Sequence, residues 1–238
     1  MQAFLAILRY DLLQLTQSWV SRIWIPMLIA PAFFLVVVAA TENELASETL
    51  AAYVIAVLMP LSALAVAVLT SGAIAGEAQI IADGILSRSV TRTEFVSAKI
   101  VSRLGFALAV YLVVMLPFSY LIIRYSESDI SYAGLLAALL TAALLLMFLG
   151  ALGLTLSTVM TNVMVSVVVL LFVVLVSGLR LQFLGLSWMS TTAVLTELAP
   201  TIRGETAVWD TFRVLFVFSG LTTAALLTTY SVFRQRDL

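Results

Sequence analysis

Long apolar segments recur along the whole chain, and they restrict its fold more than any other feature of the sequence. The hydrocarbon core of a bilayer is about 30 Å thick, so a helix that crosses it needs roughly 17–25 apolar residues. Six segments satisfy this requirement. They cover residues 23–40, 50–75, 95–123, 132–160, 163–179 and 212–233. Because a helix satisfies its own backbone hydrogen bonds inside lipid, we predict an all-α membrane protein with six transmembrane helices in one domain, residues 1–238.

The composition agrees with a membrane protein and excludes several kinds of chemistry. Hydrophobic residues make up 63% of the chain and charged residues only 11%, whereas soluble domains carry about 25% charged residues. Cysteine and histidine are both absent, which excludes disulfides, Cys/His metal sites, cysteine nucleophiles and a histidine general base. The net charge of −1 argues against nucleic-acid binding, which needs a basic face. We therefore expect no catalytic residue and no metal site in this chain.

The distribution of basic residues predicts the orientation. Cytoplasmic loops of membrane proteins carry an excess of Lys and Arg. With six crossings, eight of the 12 basic residues fall on the side that also holds both termini. They are Arg9, Arg22, Arg88, Arg92, Lys99, Arg103, Arg234 and Arg236. Most of the acidic residues fall on the other side. Both termini are therefore predicted to be cytoplasmic.

The first 21 residues form a segment distinct from the first apolar span. Phe4, Leu8, Leu12, Leu15 and Trp19 fall on one stripe of a helix, which is typical of an amphipathic helix lying in the membrane interface. Arg9 and Asp11 interrupt the apolar run, so a cleavable signal peptide is not indicated. A cytoplasmic extension of the first span explains the same pattern equally well.

Two connections are longer than a turn requires. The first, residues 76–94, carries isoleucines and leucine among charges of both signs. This pattern predicts a short amphipathic cytoplasmic helix, which either lies on lipid headgroups or binds a cytoplasmic partner. The second, residues 180–211, lies on the extracytoplasmic side, and a structural cap explains it better than a binding site. Between the fourth and fifth spans, Thr161 and Asn162 must form a tight turn.

The loop from Gly76 to Lys99 resembles the cytoplasmic coupling region of type-2 ABC exporter permeases. That family commonly has a Gly-Glu pair after the second span, a short helix, a Pro-Val-Ser-Arg-like stretch, an acid, and a Gly-Lys pair opening the third span. The corresponding residues here are Gly76-Glu77, Ser89-Val90-Thr91-Arg92, Glu94 and Ala98-Lys99. The chain departs from the pattern at Ser89, at Ala98 and at Ile80-Ile81. The number of spans, the long connection before the sixth span and the basic tail also fit the family.

The resemblance implies the membrane-spanning permease subunit of an ATP-driven exporter in a prokaryotic cytoplasmic membrane. Such a subunit forms the translocation pathway as a dimer, with an identical copy or a paralogue, and a separate cytoplasmic ABC ATPase binds ATP and Mg²⁺. The residues that would couple to the ATPase are Glu77, Asp83, Arg88, Arg92, Glu94 and Lys99. A phosphate-binding loop needs a Gly-Lys pair, but the only lysine, Lys99, follows Ala98. An ATPase must therefore be a separate chain.

Simpler roles compete with coupling for several of these residues. Glu77 could pair with Arg92, Lys99 or Arg103 as a structural ion pair, and Lys99 and Arg103 could extend to the headgroups. The span interiors lack an ionisable residue at mid-depth, which argues against a proton- or sodium-driven transporter and an intramembrane hydrolase. The alternative function is a membrane anchor or assembly subunit that recruits a cytoplasmic partner without transport.

Overall fold

The computed structural model describes residues 2–75, 91–160, 162–183 and 189–235, and these ranges are almost entirely helical. The helices are α1 Gln2–Gln17, α2 Trp19–Glu42, α3 Ala46–Tyr53, α4 Met59–Ala75, α5 Arg92–Tyr125, α6 Tyr132–Val159, α7 Val163–Phe183, α8 Thr191–Thr196, α9 Leu198–Arg203 and α10 Val208–Gln235. Within the described ranges the β structure amounts to one isolated bridge between Leu45 and Glu127. The predicted all-α class is confirmed.

Five helices are long and apolar enough to cross a membrane, judged by length and composition. Four of them are α2, α5, α6 and α10. The remaining one is the continuous helical run that α3 and α4 form together. The predicted fifth span, residues 163–179, lies within α7, Val163–Phe183, which is not among these five helices. The structure thus supports a multi-helix membrane protein, and the count of six spans is not confirmed.

Several helix ends lie beyond the apolar segments that predicted them. The first span was expected over residues 23–40, and α2 covers Trp19–Glu42. Ser18 has an extended backbone and its Oγ accepts the N–H of Ser21 at 3.1 Å, which caps the start of α2. α1 is therefore a separate helix and not a continuous extension of the first span. Its predicted location in the membrane interface stays a prediction.

The second apolar segment changes its helical pitch partway along. Val54–Leu58 form a π-helical stretch between α3 and α4, which ends two residues before Pro60. Proline lacks the N–H that would bond to Ala56, and local widening of the helix is a common accommodation in membrane helices. The Tyr53 hydroxyl at this point donates to the carbonyl of Leu28 at 3.0 Å, so that the irregular stretch is tied to α2.

α6 lies at the centre of the bundle, against α4, α5, α9 and α10. Small residues permit this packing, as is usual between membrane helices. A Cβ added at Gly153 would overlap the Thr70 side chain of α4. On the α10 side, Thr155 Oγ1 lies 3.0 Å from the Thr229 hydroxyl. α6 ends at Val159 and α7 begins at Val163, where Asn162 Oδ1 accepts the N–H of Met164 at 2.9 Å; Thr161, the other residue of the predicted turn, lies outside the described residues.

The bundle has two chemically different ends. The terminal end is defined here by Asp11, Phe95 and Phe233; the rings of Phe95 and Phe233 stack at 6.0 Å. The opposite end is defined by Asp129, which accepts the backbone N–H and the hydroxyl of Ser47, and by Arg203. α1 and the C-terminal part of α10 both lie at the terminal end. Which membrane face this end occupies stays a prediction.

The close approach of α6 to α4 predicts a specific response to added volume. Gly153→Ala should lower the free energy of unfolding by about 1–3 kcal/mol, because Thr70 has to move and overpacking is costly. The measurement is the thermal or denaturant unfolding of the purified protein. Gly220→Ala is the matched control, since no described atom lies within 4 Å of the added Cβ. Equal stability of the two variants would contradict this packing.

Candidate functional site

A buried carboxylate joins α1 to α5 at the terminal end. Asp11 of α1 has a fully buried side chain, and its Oδ1 lies 2.8 Å from Lys99 Nζ and 2.9 Å from Arg103 Nη2. The Lys99 and Arg103 side chains are only 2% and 9% exposed. The Ser102 hydroxyl donates to the second oxygen, Oδ2. These four residues are called the Asp11 cluster.

Helical spacing explains how α5 supplies these donors. Lys99, Ser102 and Arg103 occupy positions i, i+3 and i+4, which lie on one face of a helix. A single carboxylate on a facing helix can therefore accept from all three. Arg103 also donates through Nη1 to the carbonyl of Leu69 in α4 at 3.1 Å. The cluster thus connects α1, α4 and α5.

An aromatic ring completes the surroundings of Lys99. Lys99 Nζ lies 5.6 Å from the centre of the Phe95 ring, a distance at which a cation is attracted to the ring face. Phe95 is 3% exposed and stacks on Phe233 near the end of α10. Phe95 therefore shields the cluster from water, and α10 contacts Phe95 through Phe233.

The charges at the cluster depend on one another. Burial alone would raise the pKa of Asp11, but Arg103, Lys99 and Ser102 outweigh this effect, and the pKa lies below its ordinary value of 3.8. Removing one partner of a buried ion pair typically costs about 3–5 kcal/mol, because it leaves a buried charge uncompensated. Replacing any one charged residue of the Asp11 cluster should consequently destabilise the protein strongly.

The predicted roles of Lys99 and Arg103 need correction. Both were expected to extend to lipid headgroups as one of their possible roles, but both are buried against Asp11. Asp11 itself was interpreted only as a break in an apolar run. The sequence does contain a signal for this cluster. It has a single acid on an amphipathic helix, and elsewhere two basic residues, Lys99 and Arg103, one helical turn apart. It does not identify which helices meet.

Glu94 has a local structural role at the start of α5. The Thr91 hydroxyl accepts the N–H of Glu94 at 3.2 Å, and Glu94 Oε2 accepts the Thr91 N–H at 3.2 Å. This reciprocal pair is a capping box. The Thr91-x-x-Glu94 spacing was visible in the sequence, but Glu94 was assigned there to coupling alone. The cap fixes where α5 begins after the loop.

The structure places two of the six predicted coupling residues and does not bring them together. Lys99 is buried and Glu94 is on the exposed first turn of α5. The other four lie outside the described residues: Glu77, Asp83, Arg88 and the side chain of Arg92. The coupling helix predicted within residues 76–94 also lies outside them. The ion pair predicted between Glu77 and Arg92, Lys99 or Arg103 lies outside them as well.

The long connection at the opposite end packs closely on the bundle. Leu198 and Ile202 of α9 are 2% and 3% exposed. A Cβ at Gly134 of α6 would overlap the carbonyl oxygen of Thr201. Arg203 contacts Glu205 at 3.0 Å and also reaches Ser47 and Glu48 at the start of α3. α9 is thus held by both apolar and ionic contacts.

Comparison with known proteins adds no family to this geometry. No protein-family model matches the chain, and no curated protein matches it. Among the described residues, no group of three or more Asp and Glu side chains is placed to hold a metal ion. Function is therefore inferred from the contacts of the chain and from the resemblance of its loop.

The buried pairs predict a strong energetic coupling between α1 and α5. Asp11→Asn and Lys99→Met should each lower the free energy of unfolding by about 3–5 kcal/mol. The double variant should lose less than the two losses added together, because the Asp11–Lys99 contact is already absent once either partner is replaced. Unfolding of the three variants in one detergent gives the coupling energy. Strictly additive losses of stability would contradict the pairing. Glu42→Gln, at an exposed site, is the control and should leave the free energy of unfolding nearly unchanged.

Acid should weaken the same contact. Because the folded-state pKa of Asp11 is lowered, its stabilisation is complete above the ordinary value and is lost as pH falls through the lowered pKa. The stability difference between the wild type and Asp11→Asn should therefore shrink progressively below about pH 4. Unfolding curves across the acid range measure this difference. A constant difference throughout that range would contradict the assignment.

Proposed function

We propose that this chain is the permease subunit of an ATP-driven ABC exporter, which works as a dimer with a separate cytoplasmic ATPase. The proposal includes six crossings, with α7 as the fifth, and both termini in the cytoplasm. It also includes a coupling helix within residues 76–94. ATP and Mg²⁺ would bind to the ATPase, in a prokaryotic cytoplasmic membrane.

The Asp11 cluster is the observation that carries this proposal. α4 ends at Ala75, immediately before the stretch that resembles the coupling region, and α5 begins within that stretch, at Arg92. Asp11 brings α1 against α5, and Arg103 bonds α5 to α4 through Leu69. Three helices around one loop are therefore tied together at a single buried point. A force applied to that loop would move α1, α4 and α5 as a unit.

This arrangement divides the roles of the coupling residues. Lys99 acts from inside, by holding α1 on α5. Glu94 acts by fixing the first turn of α5 next to the loop. Glu77, Asp83, Arg88 and Arg92 remain the residues proposed to contact the ATPase. Coupling through packed helices with two discrete arrangements is a recognised physical route between distant sites.

Charge reversal in the loop tests the docking surface. Glu77→Lys combined with Arg92→Glu should reduce co-purification of the ATPase at least about tenfold, since contacts of the wrong sign replace attractive ones. Glu42→Lys, a charge reversal at the opposite end, is the matched control and should leave co-purification unchanged. If the loop variant retains both the ATPase and its ATP turnover, the docking proposal fails.

Asp11→Asn then separates transport from simple recruitment. The variant should still bind the ATPase, because the loop residues are unchanged, but its permease-dependent ATP turnover should fall several-fold. Binding is measured by co-purification and turnover by phosphate release in proteoliposomes. If the wild-type chain binds the ATPase yet has no effect on turnover, the chain is a membrane anchor and the exporter proposal is wrong.

A further inference from the structure

A cavity of about 530 Å³ lies at the opposite end of the bundle. Its walls come from α8, α9, the 205–207 segment, one residue of α6 and the first turns of α10. The volume falls in the range of about 300–1,000 Å³ that is typical of small-molecule sites. The Asp11 cluster and Glu94 are at the other end of the bundle.

Part of the lining of the cavity is apolar. Val194 of α8 and Leu198 of α9 line it, together with Val214 of α10. Val194 and Leu198 are 6% and 2% exposed, because the same side chains also pack on the bundle. This wall is therefore fixed by the core and offers a firm surface to an apolar body.

The charged part of the lining is predominantly acidic. Three carboxylates line the cavity, those of Glu197, Glu205 and Asp210, and a single guanidinium, that of Arg213. Glu205 is engaged by Arg203 at 3.0 Å. Glu197 and Asp210 make no side-chain hydrogen bond or ion pair with any residue in the described part of the chain. Glu197 and Asp210 thus line the cavity as exposed carboxylates, in addition to the Glu205 carboxylate and the Arg213 guanidinium.

The charge and the shape together limit the ligand. Three carboxylates and one guanidinium line the cavity, so the charge of the lining favours a cation over an anion. A metal ion does not fit, since no three acidic side chains in the ranges that the structure describes are grouped to coordinate one. An organic cation spreads its charge and can bury apolar surface on Val194, Leu198 and Val214.

We propose that this cavity binds an amphipathic organic cation. The charged group lies near Glu197 and Asp210, and the apolar body lies against the valine and leucine wall. The ligand is either a soluble cation or a lipid with an ammonium headgroup, because both carry the same chemistry. The proposal stands apart from the proposed function, since it requires neither ATP nor a partner chain.

Binding of tetraphenylphosphonium to the purified full chain in nanodiscs tests the proposal. We expect saturable binding above that of empty nanodiscs, and much weaker binding of the uncharged analogue triphenylphosphine oxide. Glu197→Gln combined with Asp210→Asn should weaken tetraphenylphosphonium binding at least about tenfold, because two nearby charges are lost. Glu42→Gln removes a carboxylate outside the cavity and should leave the affinity unchanged.

A second variant keeps the test independent of charge and folding. Ala207→Trp places a large ring at the cavity wall and should abolish saturable binding, whereas Ala207→Ser should not. Weaker binding in nanodiscs of phosphatidylethanolamine than in those of phosphatidylglycerol would support a lipid ammonium as the ligand. Equal binding would support a soluble cation. The proposal is overturned if the wild type shows no saturable binding, or if the charge variant and Ala207→Trp both bind as the wild type does.

Discussion

The buried carboxylate of Asp11 is the interaction on which the terminal end of this protein depends. A charge removed from water is tolerated only when it is paired and hydrogen-bonded. Lys99, Ser102 and Arg103 satisfy this condition from one face of α5. The same condition holds α1 in place, since no other described residue of α1 is both charged and buried. An electrostatic requirement thus determines how α1, α4 and α5, which are otherwise mostly apolar, are joined.

Hydrophobicity alone predicts most of the helices, because lipid leaves the backbone few alternatives to a helix. It also predicts the break before α7. It does not predict the Asp11 cluster, since residues 88 to 92 positions apart meet there and periodicity reports only on neighbours along one helix. Thr91 and Glu94, which are three residues apart, form a cap that local spacing does reveal. The errors on Lys99 and Arg103 therefore reflect missing long-range information.

The two ends of the bundle differ in how their charged residues are arranged. At the terminal end, charge is buried and paired, which ties α1, α4 and α5 together. At the opposite end, Glu197 and Asp210 face a cavity, and α9 is held by Arg203 and by close approach to Gly134. Rigid coupling at one end and an accessible cavity at the other can act independently. The proposed function uses the first and the proposed ligand site uses the second.

The distance between spin labels on α1 and α5 tests the central claim most directly. Leu13 and Val101 are both about half exposed, and the absence of cysteine allows clean labelling of Leu13→Cys and Val101→Cys. We predict one narrow distance distribution, which is unchanged when ATP is added to the complex with the ATPase and broadens when Asp11 is replaced by Asn. A narrow distribution that persists in the Asp11→Asn variant would contradict the account.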